Sequence, residues 1–125
     1  MTLSIGVDIE EIATIERLWN EHGDKFLNKV FTDQERSYCL DKPSPLPHLA
    51  ARYATKEATM KALKTGWNDG IQWKHIEVVK EAPEGFPALK LHKKAQEAFD
   101  TRGFSALDIS FSHSENYVVA TVLFS

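Results

Sequence analysis

Residues 49–66, LAARYATKEATMKALKTG, repeat their apolar and small side chains at helical spacing and set a glutamate among them. No other stretch constrains the fold so tightly. With about 100° between successive residues, Ala50, Tyr53, Ala54 and Met60 fall within about 60° of Glu57, while Arg52, Thr55 and Thr59 point the opposite way. A surface helix would carry its acid on the Arg52 side. Glu57 is therefore expected on a packed face, where a carboxylate is costly without a charged partner or a metal.

Shorter elements surround that helix. LSIGVDI alternates, with Leu3, Ile5, Val7 and Ile9 on one face and Ser4, Gly6 and Asp8 on the other, which predicts a half-buried strand ending at Asp8. Ile12, Ile15 and Trp19 then form a helical stripe that Gly23 is placed to end. Phe26, Leu27, Val30 and Phe31 continue as a short helical piece, and TDQE, residues 32–35, has capping-box spacing for another. KPSPLP, with prolines at 43, 45 and 47, is expected to be a loop. WKHIEVVK and FPALKLH read as strands joined by a turn at APEG. KKAQEAFDTRG reads as a helix ending at Gly103, and LDISFSHS and YVVATVLF as a hairpin around SEN. The pattern predicts an α+β fold, a small antiparallel sheet packed with helices, in one domain over residues 1–125. Both faces of the last strand are apolar: Val118, Ala120, Val122 and Phe124 on one, Val119 and Leu123 on the other. That strand is expected to be central or covered by a second subunit.

Composition excludes several classes. A net charge of −3 gives no global reason to bind nucleic acid. The single cysteine, Cys39, rules out an internal disulfide and a cysteine-built zinc site, and suits a reducing compartment. The start of the chain lacks the basic and long apolar runs of a secretory leader, and no stretch is long enough to span a bilayer, so a cytoplasmic protein without membrane contact is expected. Walker A, GxGxxG and GxSxG motifs are lacking.

Five sets of residues could carry chemistry. Asp8 either caps the first helix, with Glu11 completing a D-x-x-E box, or presents a metal carboxylate beside Gly6, where backbone can be approached closely. Glu57 is either half of an i,i+4 ion pair with Lys61 or a functional acid. Lys56, Lys61 and Lys64 are either a solvated face or the cations that a polyphosphate needs once carboxylates hold it through a hard ion such as Mg²⁺. His113, between Ser112 and Ser114, is either a satisfied strand-end histidine or a ligand contact. Glu35 is most simply the reciprocal partner of the Thr32 cap.

Three blocks, GVDIEEI, RYATKEATMKAL and ISFSHSENYVVATV, in this order and with TGWNDGIQWKHIEV between them, resemble the small bacterial holo-acyl-carrier-protein synthases. These are a type of 4′-phosphopantetheinyl transferase. The resemblance covers nearly the whole chain and implies that family's fold, assembled as a homotrimer with active sites at subunit interfaces. It implies transfer of the phosphopantetheine arm of coenzyme A to a serine of an acyl carrier protein, with release of adenosine 3′,5′-bisphosphate. By residue it implies Asp8 and Glu57 as Mg²⁺ ligands, Lys61 as phosphate partner and His113, Ser112 and Ser114 near the coenzyme. Lys64, Gly66, Gly85 and Pro87 fall in its coenzyme-binding blocks. Glu57, Glu35 or a water held by the metal could take the serine proton. The acidic carrier would meet the first helix and the basic residues Arg17, Lys25, Lys29 and Arg36. Thr14, Lys64 and Phe86 depart from the family pattern, at the carrier-facing helix, before the T-G pair and in the G-x-P turn. A non-catalytic module that binds coenzyme A or a carrier is the alternative these departures keep open.

Overall fold

A computed structural model describes residues 2–81 and 85–125. The strand β1 (Ser4–Glu11) leads into helices α1 (Ile12–His22), α2 (Asp24–Val30), α3 (Asp33–Leu40) and α4 (Pro45–Leu63). Strands β2 (Ile76–Glu81) and β3 (Phe86–Leu91), helix α5 (Lys93–Thr101) and strands β4 (Leu107–His113) and β5 (Tyr117–Phe124) follow. Two antiparallel sheets result, one in the order β1-β5-β4 and one of β2 with β3. The expected α+β class, the hairpin around SEN and the central last strand are all present. Of the expected APEG turn, residues 82–84 lie outside the described residues.

Helix α4 crosses the inner face of the three-stranded sheet at very short range. Ser4 donates its hydroxyl to the Ala62 carbonyl at 2.6 Å, and a Cβ placed on Gly6 would lie 1.9 Å from the Ala58 carbonyl oxygen. The small residues of α4 are thus there to let the strand in. Gly6→Ala must push helix and strand apart, at an expected cost of about 1–3 kcal/mol. A lower urea midpoint at unchanged m-value is the expected reading, and a variant as stable as the parent would refute the tight contact.

Three sequence readings are corrected here. Strand β1 is half-buried, but the buried side is the Ser4–Gly6 face; Leu3, Ile5, Val7 and Ile9 are 55–64% exposed. Close approach to α4 selects small residues for the covered face, and the apolar face is left for something outside this chain. Helix α4 is also not amphipathic as read. Arg52, Thr55, Lys56 and Thr59, expected on a wet or solvated side, are fully buried. Thr55 and Thr59 satisfy themselves on the carbonyls of Ala51 and Thr55. KPSPLP is only partly a loop, because Pro45 and Pro47 form the first turn of α4, where a missing N–H costs nothing. The helix ends at Leu63, with Lys64 in the left-handed conformation, close to Gly66.

Lys56 anchors α4. Its Nζ donates to Glu35 Oε1 at 2.8 Å and to the carbonyls of Trp73 and Ile76. Glu35 completes the predicted capping box by accepting from the Thr32 N–H, while its Oε2 accepts from the Val78 N–H at 2.9 Å. Both side chains have no solvent exposure. The pair ties α3, α4 and β2 together.

Candidate active site

Asp8 and Glu57 meet because β1 and α4 do. Asp8 pairs in register with Ala120, whose side chain is buried, so the aspartate points to the inner face and toward the helix. It does not cap α1: strand β1 runs on to Glu11, which occupies the cap position without a side-chain cap bond. Its Oδ1 accepts from Lys61 Nζ at 3.1 Å, and the same ammonium donates to the Val7 carbonyl at 2.9 Å. The ion pair of Lys61 is thus with Asp8, not with its i−4 neighbour. Asp8 Oδ2 is buried and, among the described residues, has no hydrogen-bond partner.

Charges of one sign gather around that oxygen. Burial raises the Glu57 carboxyl, the Asp8 charge raises it further, and the Trp67 indole and Lys61 oppose the rise. Glu10, two residues beyond Asp8 and on the same strand face, is pushed up to about 8 by burial, by its contact with Asp8 and by the charges of Asp8 and Glu57. Tyr53, one turn before Glu57, is pushed up to about 12 by burial and then by Glu57, Glu10 and Asp8. A buried oxygen without a donor beside acids that repel one another is the donor set a hard cation prefers, oxygen only and excess negative charge.

A second cluster lies two strands away. Glu10 pairs with Val118, which pairs with His113, so the acids and His113 occupy the same end of the sheet on opposite edges, about 10 Å apart across β5. His113 and Phe111 line a cavity of about 170 Å³ with His48, Arg52 and Lys80. Burial lowers the His48 pKa, and Arg52, Lys42, Lys80 and His113 lower it further. Arg52 donates to the His48 carbonyl at 3.2 Å and lies 4.5 Å from the Tyr38 ring, with its buried Nε unpartnered. This is a concentrated positive pocket, suited to an anion.

The family model of the 4′-phosphopantetheinyl transferase superfamily matches residues 4–122. The chain belongs to this superfamily. It is 42% identical over 123 residues to a protein of Geobacter sp. (strain M21) named holo-[acyl-carrier-protein] synthase, covering 98% of each chain. The crystal structure of holo-[acyl-carrier-protein] synthase from Neisseria meningitidis superposes with a TM-score of 0.87 at 29% identity, covering 98% of this chain and 97% of the other. That of the Helicobacter pylori synthase, described as a complex with coenzyme A, gives 0.82 at 33% identity, covering 97% of this chain and 99% of the other.

In this phosphopantetheinyl transferase the remaining expected residues are spread over several places. Of the three lysines of the α4 block, Lys61 joins the acids, Lys56 is spent in the core and Lys64 is exposed past the helix end. Glu35, the third candidate base, has both oxygens committed in the core. Gly66 is exposed and donates its N–H to Asp69 at 3.1 Å. Gly85, at φ 72°, and Pro87, paired with Lys80, belong to the β2–β3 hairpin. Ser112, His113 and Ser114 are exposed at the end of β4, where His113 Nδ1 lies 3.1 Å from the Ser114 carbonyl. Lys25 and Lys29 line an apolar cleft of about 340 Å³ with Leu18, Phe26 and Tyr53, whereas Arg17 and Arg36 turn to Glu21 and Asp33 of their own helices. Sequence reading missed Glu10, Arg52, His48 and Lys80. Strand alternation continued by one step would have found Glu10; no local signal marks the other three, which meet only in the fold.

No helix among the described residues is long and apolar enough to cross a membrane.

Proposed function

We propose that this transferase moves the phosphopantetheine arm of coenzyme A onto a serine of an acyl carrier protein and releases adenosine 3′,5′-bisphosphate. The observation that carries the reading is the buried Asp8 Oδ2 beside Glu57, unpartnered among the described residues, with the Trp67 indole and Lys61 offsetting the acids. Its relatives' names and the coenzyme A complex of the Helicobacter pylori protein support the same reaction.

Asp8 and Glu57 would hold Mg²⁺, with Glu10 adding negative charge nearby. Held there, Mg²⁺ would supply the positive charge that a diphosphate needs for transfer. Lys61 neutralises phosphate oxygens as a point charge. The serine oxygen bonds to the phosphorus on the pantetheine side, and the bisphosphate leaves with the bridging oxygen. Glu57 takes the serine proton. Glu35 serves the fold instead. The His113, Arg52, His48 and Lys80 pocket takes a further phosphate of the coenzyme, with Ser112, Ser114 and the Gly85–Pro87 turn beside the nucleoside and Lys64 and Gly66 at the rim. The acidic carrier docks on the apolar cleft flanked by Lys25 and Lys29.

The working unit is a homotrimer. Leu3 and the β1 residues Ile5, Val7 and Ile9 join Tyr117, Val119 and Leu123 of β5 in one exposed apolar face, of the kind that marks a protein contact. It backs directly onto the strand that carries Asp8, so the subunit boundary adjoins the site. Ile5→Glu is expected to sediment as a monomer; an unchanged oligomer would refute this placement.

The deciding experiment incubates the protein with several apo carriers, coenzyme A and Mg²⁺, and reads intact carrier mass and released bisphosphate. A phosphopantetheine mass gain that EDTA abolishes is expected. No gain on any carrier, with calorimetry showing coenzyme A binding that ignores Mg²⁺, would replace the enzyme by a binding module.

A further inference from the structure

Three stacked rings stand beside the acids, and the chemistry proposed for the acids uses none of them. The Tyr53 ring lies over Trp73 with 4.9 Å between centroids and 29° between planes, and Trp73 over Trp67 with 4.1 Å and 25°. The stack is anchored from the core. The buried Lys56 ammonium donates to the Trp73 carbonyl at 3.1 Å, and Glu35 holds that ammonium at 2.8 Å. Trp67 opens a short 3₁₀ turn, Trp67–Asp69, past the end of α4. Its indole carries a single N–H, and the Glu57 carboxylate accepts it. The stack thus leaves α4 at Tyr53 and returns to it, through Trp73 and Trp67, one turn later at Glu57.

We infer that Trp67 is a positioning residue for transfer: its indole N–H holds the Glu57 carboxylate in one orientation, and the ring stack holds the indole. The inference rests on the proposed place of Glu57 as a ligand of the cation and acceptor of the serine proton. A glutamate is long and rotatable, and pinning it in advance lowers the ordering cost that metal binding must meet. The other neighbours do not pin it. The Lys61 ammonium is engaged by Asp8 and the Val7 carbonyl, and Asp8 repels Glu57 instead of orienting it. An indole is also the right kind of donor for the task. It is neutral, so it orients the carboxylate and leaves the negative charge for the cation, where an ammonium would cancel it. It accepts no hydrogen bond and offers no oxygen, so it does not compete as a ligand.

Trp67→Phe tests this, because it keeps a ring against Trp73 and removes the N–H. Mn²⁺ alone, titrated into the protein and followed as free ion by electron paramagnetic resonance, should bind about tenfold more weakly to the variant. With saturating Mg²⁺ and an apo carrier, kcat should fall roughly tenfold while KM for coenzyme A stays near the parent's. Trp73→Phe trims the same atoms from the stack without touching a carboxylate, and should leave both readings close to those of the parent. Parental Mn²⁺ affinity and kcat in Trp67→Phe would overturn the positioning role. Equal losses in the two variants would overturn it too, by placing the cause in ring packing. Either result leaves the transferase reading standing. A parent that binds Mn²⁺ no better than Asp8→Asn would remove the cation site itself, and the proposed roles of Glu57 and Trp67 with it.

Discussion

Asp8→Asn is expected to lower kcat/KM for carrier modification by at least about a hundredfold while leaving the fold as stable as before or more so. The substitution keeps the shape of the side chain and removes the charge from the oxygen that has no partner among the described residues. What it releases is repulsion, since Asp8 raises the proton affinity of both Glu57 and Glu10. The lost ion pair with Lys61 weighs little, because the lysine side chain is about half exposed. Melting and activity should therefore move apart, as they do where a site is held against its own electrostatics.

The pH dependence has the same origin. Glu10 has an ordinary value of 4.5 and is pushed up to about 8 in the folded chain. Between those values the folded state holds a proton that the unfolded state has lost, so stability falls as pH rises through this window. Metal-free protein should show that slope in denaturant midpoints from about pH 5 to 8, and Asp8→Asn should flatten it. Equal slopes for the two proteins would mean that the acids do not sense one another.

Glu35→Leu should be the most damaging single change for stability, costing about 3–5 kcal/mol. The leucine leaves the Lys56 ammonium in the core with only two carbonyls, and it strips the Thr32 and Val78 N–H groups of their acceptor. Burial already lowers the Lys56 pKa, with Glu35 as the chief opposing influence, so the variant favours an uncharged lysine. The double variant Glu35→Leu/Lys56→Met removes the stranded charge and is expected to be more stable than Glu35→Leu alone in urea unfolding. A double variant no better than the single one would locate the loss in the two freed N–H groups instead.

Local rules carried the reading of the sequence a long way. The Thr32–Glu35 box, the Gly23 stop and the hairpin around SEN depend on neighbours a few residues away, and all three are as expected. The failures share a different origin. The wheel drawn for α4 assumed one wet side, but this helix lies between the sheet and the α3–β2 layer, so Arg52 and Lys56 are buried by partners that no local pattern announces. Strand β1 inverted its expected burial because a helix at close range selects glycine and serine over isoleucine. Glu57 was legible because it broke a pattern. Glu10 was overlooked because the strand was ended two residues too early.

The pairing of β1 has a consequence for how the protein comes to life. Among the described residues its sheet partner is β5, so residue 8 finds its register opposite residue 120. Such a pairing joins residues far apart along the chain, and contacts of that separation close late in folding. Loosening β5 therefore loosens the strand that carries Asp8, and the set of acids depends on the integrity of a strand that contributes none of them.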